Sequence, residues 1–253
     1  MLGNNEVILK AENVTKKFGK LVAVRNVSLE VREGEIVGLI GSNGAGKTTL
    51  FNILTGNLFP EEGRVYYRGK DITKLSPEHR VALGIARTFQ LTSTFDNLKV
   101  IDNLKLAYYR AKHPSSLGNL LLSRLDKVDS PKIDLCLNTF GLAKLAYRYA
   151  GELSLGEKRI LEIAMALVGN PETLLLDEPF AGLSDAEIDE VLSVLREHVH
   201  RQTIVIVEHK VSKIKDLVER VCVMVEGEII ATGKIEEVLN DPRVRRDYWR
   251  VEE

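Results

Sequence analysis

The spacing of hydrophobic and polar residues predicts a chain of strands and helices that alternate over much of its length. Alternating or continuous apolar runs predict strands at residues 8–14, 24–31, 36–40, 63–67, 84–89, 173–176, 203–207, 221–225 and 228–231. Apolar residues at helical spacing predict helices at residues 98–109, 117–125, 133–140, 154–168, 186–198 and 212–218. The strand–helix alternation after residue 173 indicates an α/β fold with a parallel sheet covered by helices.

The same pattern suggests how the chain is organised. We predict a single domain over residues 1–253, with a core at about 1–89 and 150–235. The stretch from about 90 to 149 carries mainly helical spacing and is predicted to be a helical insertion. A helical tail is predicted from about 235 to 253. The sequence shows no internal repeat and no low-complexity segment.

A glycine-rich segment follows the predicted strand at residues 36–40. It reads Gly41, Ser42, Asn43, Gly44, Ala45, Gly46, Lys47 and Thr48. This is the phosphate-binding pattern G-x-x-x-x-G-K-[ST], in which glycines let several N–H groups point at phosphate oxygens. We predict that Lys47 reaches the β- and γ-phosphates, that the Thr48 hydroxyl binds Mg²⁺, and that Thr49 completes the binding segment at the helix start.

A second group of polar residues follows the apolar strand at residues 173–176. Asp177 and Glu178 come directly after it, as in the Walker B motif. Parallel strands end at one edge of a sheet, so these acids are expected beside the phosphate-binding loop. Asp177 would belong to the magnesium shell, and Glu178 would orient or deprotonate an attacking water. The alternative is a strand that ends in an ordinary solvated acidic turn.

A third segment, just upstream, resembles the signature of the ABC ATPase family, which usually reads L-S-G-G-Q. Leu153, Ser154 and Gly156 match it, whereas Leu155 and Glu157 depart from it. Ser154 and Glu157 also have the spacing of a capping box that opens a helix. The resemblance implies that the Ser154 hydroxyl and the Gly156 N–H donate to the γ-phosphate of ATP held by another subunit.

Single residues extend this resemblance to nearly the whole chain. Gln90 corresponds to the glutamine that touches Mg²⁺ or water and senses the transporter, and His209 to the histidine that contacts the γ-phosphate. Phe18 corresponds to the aromatic residue that stacks on adenine. Ser184 stands where the family often has aspartate, and the neighbouring Asp185 is not a simple substitute for it.

The resemblance implies a P-loop NTPase core of the ABC type, with an antiparallel β subdomain and a helical subdomain. It also implies Mg²⁺-dependent ATP hydrolysis. Because one phosphate-binding loop and one signature occur here, ATP would be enclosed by two ATPase subunits that pair head to tail, either identical or different. The further partners would be membrane permease subunits and, indirectly, a substrate-binding protein. The chain would then be a peripheral protein at the cytoplasmic face of the membrane, and soluble when isolated.

Within the family, the sequence is closest to the ATPase subunits of branched-chain amino-acid importers, the LivG type. The supporting features are residues 84–90, the helical insertion, residues 177–183 and the ending at 240–248. The ATPases of lipopolysaccharide exporters share much of this pattern, although their insertion is shorter. An exporter subunit therefore remains an alternative.

Charge and cysteine content narrow the remaining choices. The net charge is −1, and the basic run at residues 243–246 is interpreted as a solvated helix face, so no nucleic-acid partner is expected. The absence of a basic signal argues against the hypothesis of a soluble ABC protein of translation or DNA repair. The intact Lys47 and Glu178 argue against the hypothesis of a nucleotide-binding regulator without ATP turnover. Cys136 and Cys222 lie among apolar residues, which predicts buried free thiols in a reducing compartment. The apolar runs are too short to cross a bilayer.

Overall fold

The computed structural model describes residues 6–88, 94–113, 130–198, 202–209 and 211–248. Within these ranges the strands are β1 Val7–Phe18, β2 Leu21–Arg32, β3 Ile36–Gly41, β4 Glu62–Tyr67, β5 Lys70–Asp71, β6 Ile85–Arg87, β7 Thr173–Asp177, β8 Thr203–Glu208, β9 Arg220–Val225 and β10 Glu228–Gly233. The helices are α1 Lys47–Leu54, α2 Pro77–Ala82, α3 Val100–Lys112, α4 Ser130–Thr139, α5 Leu155–Leu167, α6 Asp185–His198, α7 Val211–Ile214, α8 Ile235–Leu239 and α9 Pro242–Asp247. Short 3₁₀ turns lie at Ala143–Leu145 and Ala150–Glu152.

The structure differs from the prediction at two helices, α7 and α2. The predicted helix at 212–218 is too long, because α7 ends at Ile214 and the chain turns back so that the Glu219 N–H donates to the Ile36 carbonyl at 2.9 Å. Helix α2 was missed, although Ser76 followed by Pro77 is a helix-start signal. The predicted helix at 117–125 lies outside the described residues.

Two sheets form the body of the structure. Strands β2-β1-β4-β5 make an antiparallel sheet, and β10-β9-β3-β8-β7-β6 make a six-stranded sheet. In the second sheet β9, β3, β8, β7 and β6 run parallel, which confirms the predicted parallel sheet, and only β10 is antiparallel. The carboxyl ends of β3, β7 and β8 therefore lie side by side at one edge.

Helix α1 lies between the two sheets. Its apolar side chains Leu50, Phe51, Ile53 and Leu54 are completely buried. They share one core with residues of both sheets, including Val14, Val27, Val37 and Leu39. Burying a side chain of this size stabilises the fold by about 1.5–3 kcal/mol. This packing fixes the helix that follows the phosphate-binding loop.

The opposite face of the parallel sheet is covered by helices. Leu174 and Leu176 of β7 share a second core with Leu104 of α3, Ile133 of α4 and Leu161 of α5. Cys136 lies in this core and Cys222 in the first, and both are buried free thiols, as predicted. Across the described residues, no helix combines the length and apolar character that a membrane crossing requires.

Arg80 of α2 is a fully buried cation with only 1 % exposure. Burial lowers the pKa of its guanidinium to about 10. Its N–H groups donate over 2.7–3.1 Å to the carbonyl oxygens of Ile53, Leu54, Ile72, Thr73 and Leu75. Because the last carbonyls of a helix lack partners within it, Arg80 satisfies the end of α1 and joins α1 to α2.

We expect Arg80→Met to lower the free energy of unfolding by about 2–4 kcal/mol, since five carbonyl oxygens would each lose a hydrogen bond from the guanidinium. Urea unfolding followed by circular dichroism measures this. Arg64→Met is the matched control, because the Arg64 side chain is 65 % exposed. A loss for Arg80→Met no larger than that of the control would contradict the role assigned to these hydrogen bonds.

Candidate nucleotide-binding site

The phosphate-binding loop connects β3 to α1 at the edge between the two sheets. Gly44 and Gly46 adopt positive φ angles of 81° and 99°, which favour glycine. A Cβ at Gly46 would strike the Ala23 carbonyl oxygen, and a Cβ at Gly41 would strike that of Met224. The first turn of α1 has no side-chain cap, so its leading N–H groups are available to an anion.

Lys47 places its ammonium group against this loop. The side chain is buried, and Nζ donates to the carbonyls of Gly41 at 2.8 Å and Ser42 at 3.0 Å. Burial lowers the pKa of Lys47, while the negative charges of Glu178 and Asp177 oppose that shift. The loop thus holds a cation that is poorly hydrated and close to two carboxylates.

Glu178 and His209 form the second part of the site. Glu178 follows β7 with a positive φ of 47°, an uncommon conformation for a residue with a side chain. Its Oε1 lies 2.7 Å from His209 Nε2, and His209 Nδ1 lies 3.3 Å from Lys47 Nζ. An ionised carboxylate can only accept, so His209 Nε2–H donates to Glu178, whereas Nδ1 lies 3.3 Å from both the Lys47 ammonium and the Gly41 carbonyl oxygen.

Asp177 lies behind this pair at the end of β7. It is 1 % exposed, and burial raises the pKa of its carboxyl group, opposed by the charges of Arg87 and Lys47. Its backbone N–H donates to Thr88 Oγ1 at 3.3 Å, whereas its Oδ1 is buried with no hydrogen-bond partner among the described residues. An unsatisfied carboxylate oxygen is a chemically suitable ligand for Mg²⁺.

The magnesium site would be completed by the exposed Thr48 hydroxyl at the start of α1. Within the described ranges no group of three or more His, Cys, Asp or Glu side chains could hold a metal. This is compatible with Mg²⁺, which keeps several waters and commonly uses few protein ligands together with substrate phosphates. Thr48 and Asp177 therefore fit the ion, and their roles stay predictions.

A cleft of about 990 Å³ brings most of the predicted residues together. Phe18, Glu178 and His209 line it with residues 43–49 of the loop and helix α1. Phe18 stands at the end of β1 with 48 % exposure, and Lys16 Nζ lies 5.5 Å from its ring centroid. Its ring is thus available for stacking. Gln90, the remaining predicted catalytic residue, lies outside the described residues.

The signature residues are placed elsewhere. Ser154 caps α5, and the predicted capping box is confirmed by Glu157 N donating to Ser154 Oγ at 3.2 Å and Ser154 N donating to Glu157 Oε2 at 2.8 Å. The Gly156 N–H donates to Glu187 Oε1 at 3.2 Å. Among the described residues that line the cleft, neither Ser154 nor Gly156 occurs. The signature therefore does not contribute to the described cleft of its own chain.

Several residues of this region had no role in the sequence analysis. Arg87 donates to Asn52 Oδ1 and Thr55 Oγ1, both at 3.0 Å, and so braces α1 from behind. Glu208 precedes His209 and accepts from the N–H groups of Phe180 and His209, each at 3.2 Å. Burial raises the pKa of Glu208. The only feature of the sequence that could have indicated Arg87 and Glu208 is that each is a charged residue at the end of an apolar strand.

Comparison with known proteins agrees with this geometry. Residues 24–181 match the family described as ABC transporter. The chain is 39 % identical over 251 residues to the high-affinity branched-chain amino acid transport ATP-binding protein LivG of Salmonella typhimurium, and the match covers 96 % of this chain and 98 % of that protein. These matches confirm the resemblance of the sequence to the ABC ATPase family and to its LivG type.

Solved structures confirm the predicted fold. An ATP-binding cassette of an ABC transporter in its ADP conformation superposes with a TM-score of 0.81 at 34 % identity, over 94 % of this chain and 97 % of that one. A dimeric cassette in a post-hydrolysis state, bound to ADP and Pi, gives a TM-score of 0.74 at 26 % identity, over 90 % and 99 % of the two chains. This chain belongs to the ATP-binding proteins of the ABC transporter family and is an ABC-type ATPase.

Proposed function

We propose that this chain is the ATP-hydrolysing subunit of a membrane importer for branched-chain or related amino acids. The observation that carries the chemistry is the Glu178–His209 pair, with 2.7 Å between Oε1 and Nε2, at the edge of the phosphate-binding loop. The kind of cargo is proposed from the near full-length similarity to LivG. We propose no contact between the residues of the cleft and the transported amino acid, since selection of the transported molecule would belong to the permease and the binding protein.

The proposed mechanism assigns one task to each group. The N–H groups of the loop and Lys47 bind the β- and γ-phosphates, and Phe18 stacks on adenine. Thr48, Asp177 and Gln90 would hold Mg²⁺, which neutralises phosphate charge when it is bound. Glu178 orients the attacking water and accepts its proton, and His209 fixes the direction of the Glu178 carboxylate.

A second ATPase subunit is needed to complete the site. The signature residues Ser154 and Gly156 do not line the described cleft of their own chain. In a head-to-tail pair each signature would face the other chain's phosphate-binding loop, and the existence of a dimeric relative bound to ADP and Pi supports pairing of two such subunits. ATP would then stabilise the closed pair, and hydrolysis would reopen it. The second subunit is either the same chain or a different one.

A separate groove suits the proposed permease. It measures about 600 Å³ and lies between α2, β6, α3 and α5. Its apolar lining includes Pro77, Val81, Phe95, Leu106, Met165 and Ala166. Arg80 contributes to one wall and also binds the end of α1, so a segment seated here would contact an element joined to the phosphate-binding helix. We propose that a cytoplasmic segment of the permease occupies this groove.

We expect Val81→Asp to reduce co-purification with the permease by about tenfold or more, because a charge would be forced against an apolar contact. Val81 is 39 % exposed, so the isolated subunit should keep its own ATPase activity. Leu135→Asp, at an apolar residue with 67 % exposure outside this groove, is the matched control. Equal recovery of permease with both variants would contradict the proposed contact.

The whole proposal is tested by purifying the chain from its native membranes and identifying what accompanies it. A permease together with an amino-acid-binding protein is the expected result. A permease without any binding protein would favour the exporter alternative. ATPase activity stimulated by nucleic acid, with no permease attached, would instead indicate a soluble ABC protein.

A further inference from the structure

Glu187 of α6 connects the start of that helix to the signature. Its Oε1 accepts from the Gly156 N–H at 3.2 Å. Its Oε2 accepts from the Ser184 N–H at 2.9 Å and from Ser184 Oγ at 2.7 Å. One carboxylate therefore binds two segments that are distant in sequence. Both segments departed from the family pattern, at Leu155 and at Ser184.

The contact between Glu187 and Gly156 leaves little space beside the Gly156 backbone. A Cβ placed on Gly156 would lie 2.8 Å from Glu187 Oε1 and 2.9 Å from its Cγ. Hydrogen bonds from Ser184 and Gly156 lower the pKa of Glu187, so the group is an anion at neutral pH. A second carboxylate, that of Glu157, accepts from the Ser154 N–H at the same helix end. The first turn of α5 thus already holds negative charge, which the helix dipole favours.

We propose that Glu187 is a positioning residue that occupies the Gly156 N–H and must withdraw from it when the γ-phosphate of a second subunit's ATP arrives. This inference rests on the proposed ATP-enclosing pair. The same N–H cannot serve both anions, and two negative groups in contact repel each other. Withdrawal does not leave the carboxylate without partners, because Ser184 still binds Oε2. Ser184, at the position where the family often has aspartate, would thus hold the Glu187 carboxylate after it withdraws from Gly156.

The charge of Glu187 would then raise the amount of ATP that subunit pairing requires. The test uses Glu178→Gln as the background, in which slow turnover lets the ATP-bound pair accumulate. Sedimentation velocity over a series of ATP concentrations gives the concentration for half-maximal pairing. Adding Glu187→Gln keeps the size and the acceptor oxygen but removes the charge, and we expect this concentration to fall about fivefold.

Glu190→Gln in the same background is the matched control. It removes one charge from an exposed position on the same helix, and it should leave the ATP requirement unchanged. A Glu187 side chain with only a structural role would act in the opposite direction, since its loss would lower Tm and raise the ATP requirement. An unchanged or higher requirement for Glu187→Gln would overturn the proposal while leaving the proposed function intact. Failure of the background variant itself to pair with ATP would overturn the inference, because the pair that it describes would not form from this chain, while the proposed function would then require a different ATPase chain as the second subunit.

Discussion

Replacing Lys47 with alanine is expected to lower ATP turnover by about 1,000-fold, because the substitution removes the fixed cation at the phosphates. Phosphoryl transfer depends mainly on positioning and charge compensation, and Lys47 is held by the Gly41 and Ser42 carbonyls at the loop itself. Phosphate release measured at saturating ATP reports the turnover. Binding of a fluorescent ATP analogue, measured separately, shows how much of the loss comes from weaker affinity.

The thermal stability of Lys47→Ala should stay normal although its ATP turnover falls. Lys47 is buried, and burial of its charge is unfavourable, which is why its pKa is lowered. We therefore expect the Tm of Lys47→Ala to stay close to that of the unmodified protein. Lys70→Ala, at the exposed end of the antiparallel sheet, is the control for removing a lysine. Turnover of Lys47→Ala within tenfold of normal would contradict the assigned role.

The sequence predicted the centre of the site because that centre depends on local patterns. A continuous apolar run predicts a buried strand, and the residues that follow such a strand lie at its carboxyl end. Since parallel strands share that edge, the loop after β3, the acids at the end of β7 and the histidine after β8 had to lie near one another. The 2.7 Å contact between Glu178 and His209 agrees with this expectation.

Other features depend on contacts that no local pattern contains. Arg80 binds carbonyl oxygens of residues up to 27 positions away, and Glu187 binds an N–H 31 positions away. Backbone groups are present at every residue, so the sequence does not specify which of them a charged side chain will reach. For the same reason α7 was predicted too long, because its end is set by pairing of the next segment with β3.

The departures from the signature gain a physical meaning only with these contacts. Glu157 closes a capping box on Ser154, which the spacing had predicted. Leu155 is 41 % exposed, and its Cδ2 would lie 3.0 Å from a Cβ at Gly182, so it covers the turn before α6. The signature is thereby joined to the loop that carries Ser184. A movement of α6 would be transmitted to the signature through Glu187 and Leu155 together.

Glu178→Gln is expected to reduce ATP turnover by about 100- to 1,000-fold while ATP binding is retained. An amide has the size of the carboxylate and can still accept the His209 Nε2–H, but it cannot take a proton from water. The ATP-bound pair should therefore persist, and the variant should sediment as a dimer with ATP and as a monomer without it. Phosphate release and sedimentation velocity measure the two effects on the same sample.

Glu219→Gln is the control, because Glu219 is an exposed acid on the loop before β9. It should keep both normal turnover and the normal response of size to ATP. A Glu178→Gln variant that stays monomeric with ATP and turns over normally would remove the basis for the two-subunit mechanism. A variant that loses turnover but never pairs would keep Glu178 as the proton acceptor. That result would indicate that the signature facing the phosphate-binding loop is supplied by a different ATPase chain.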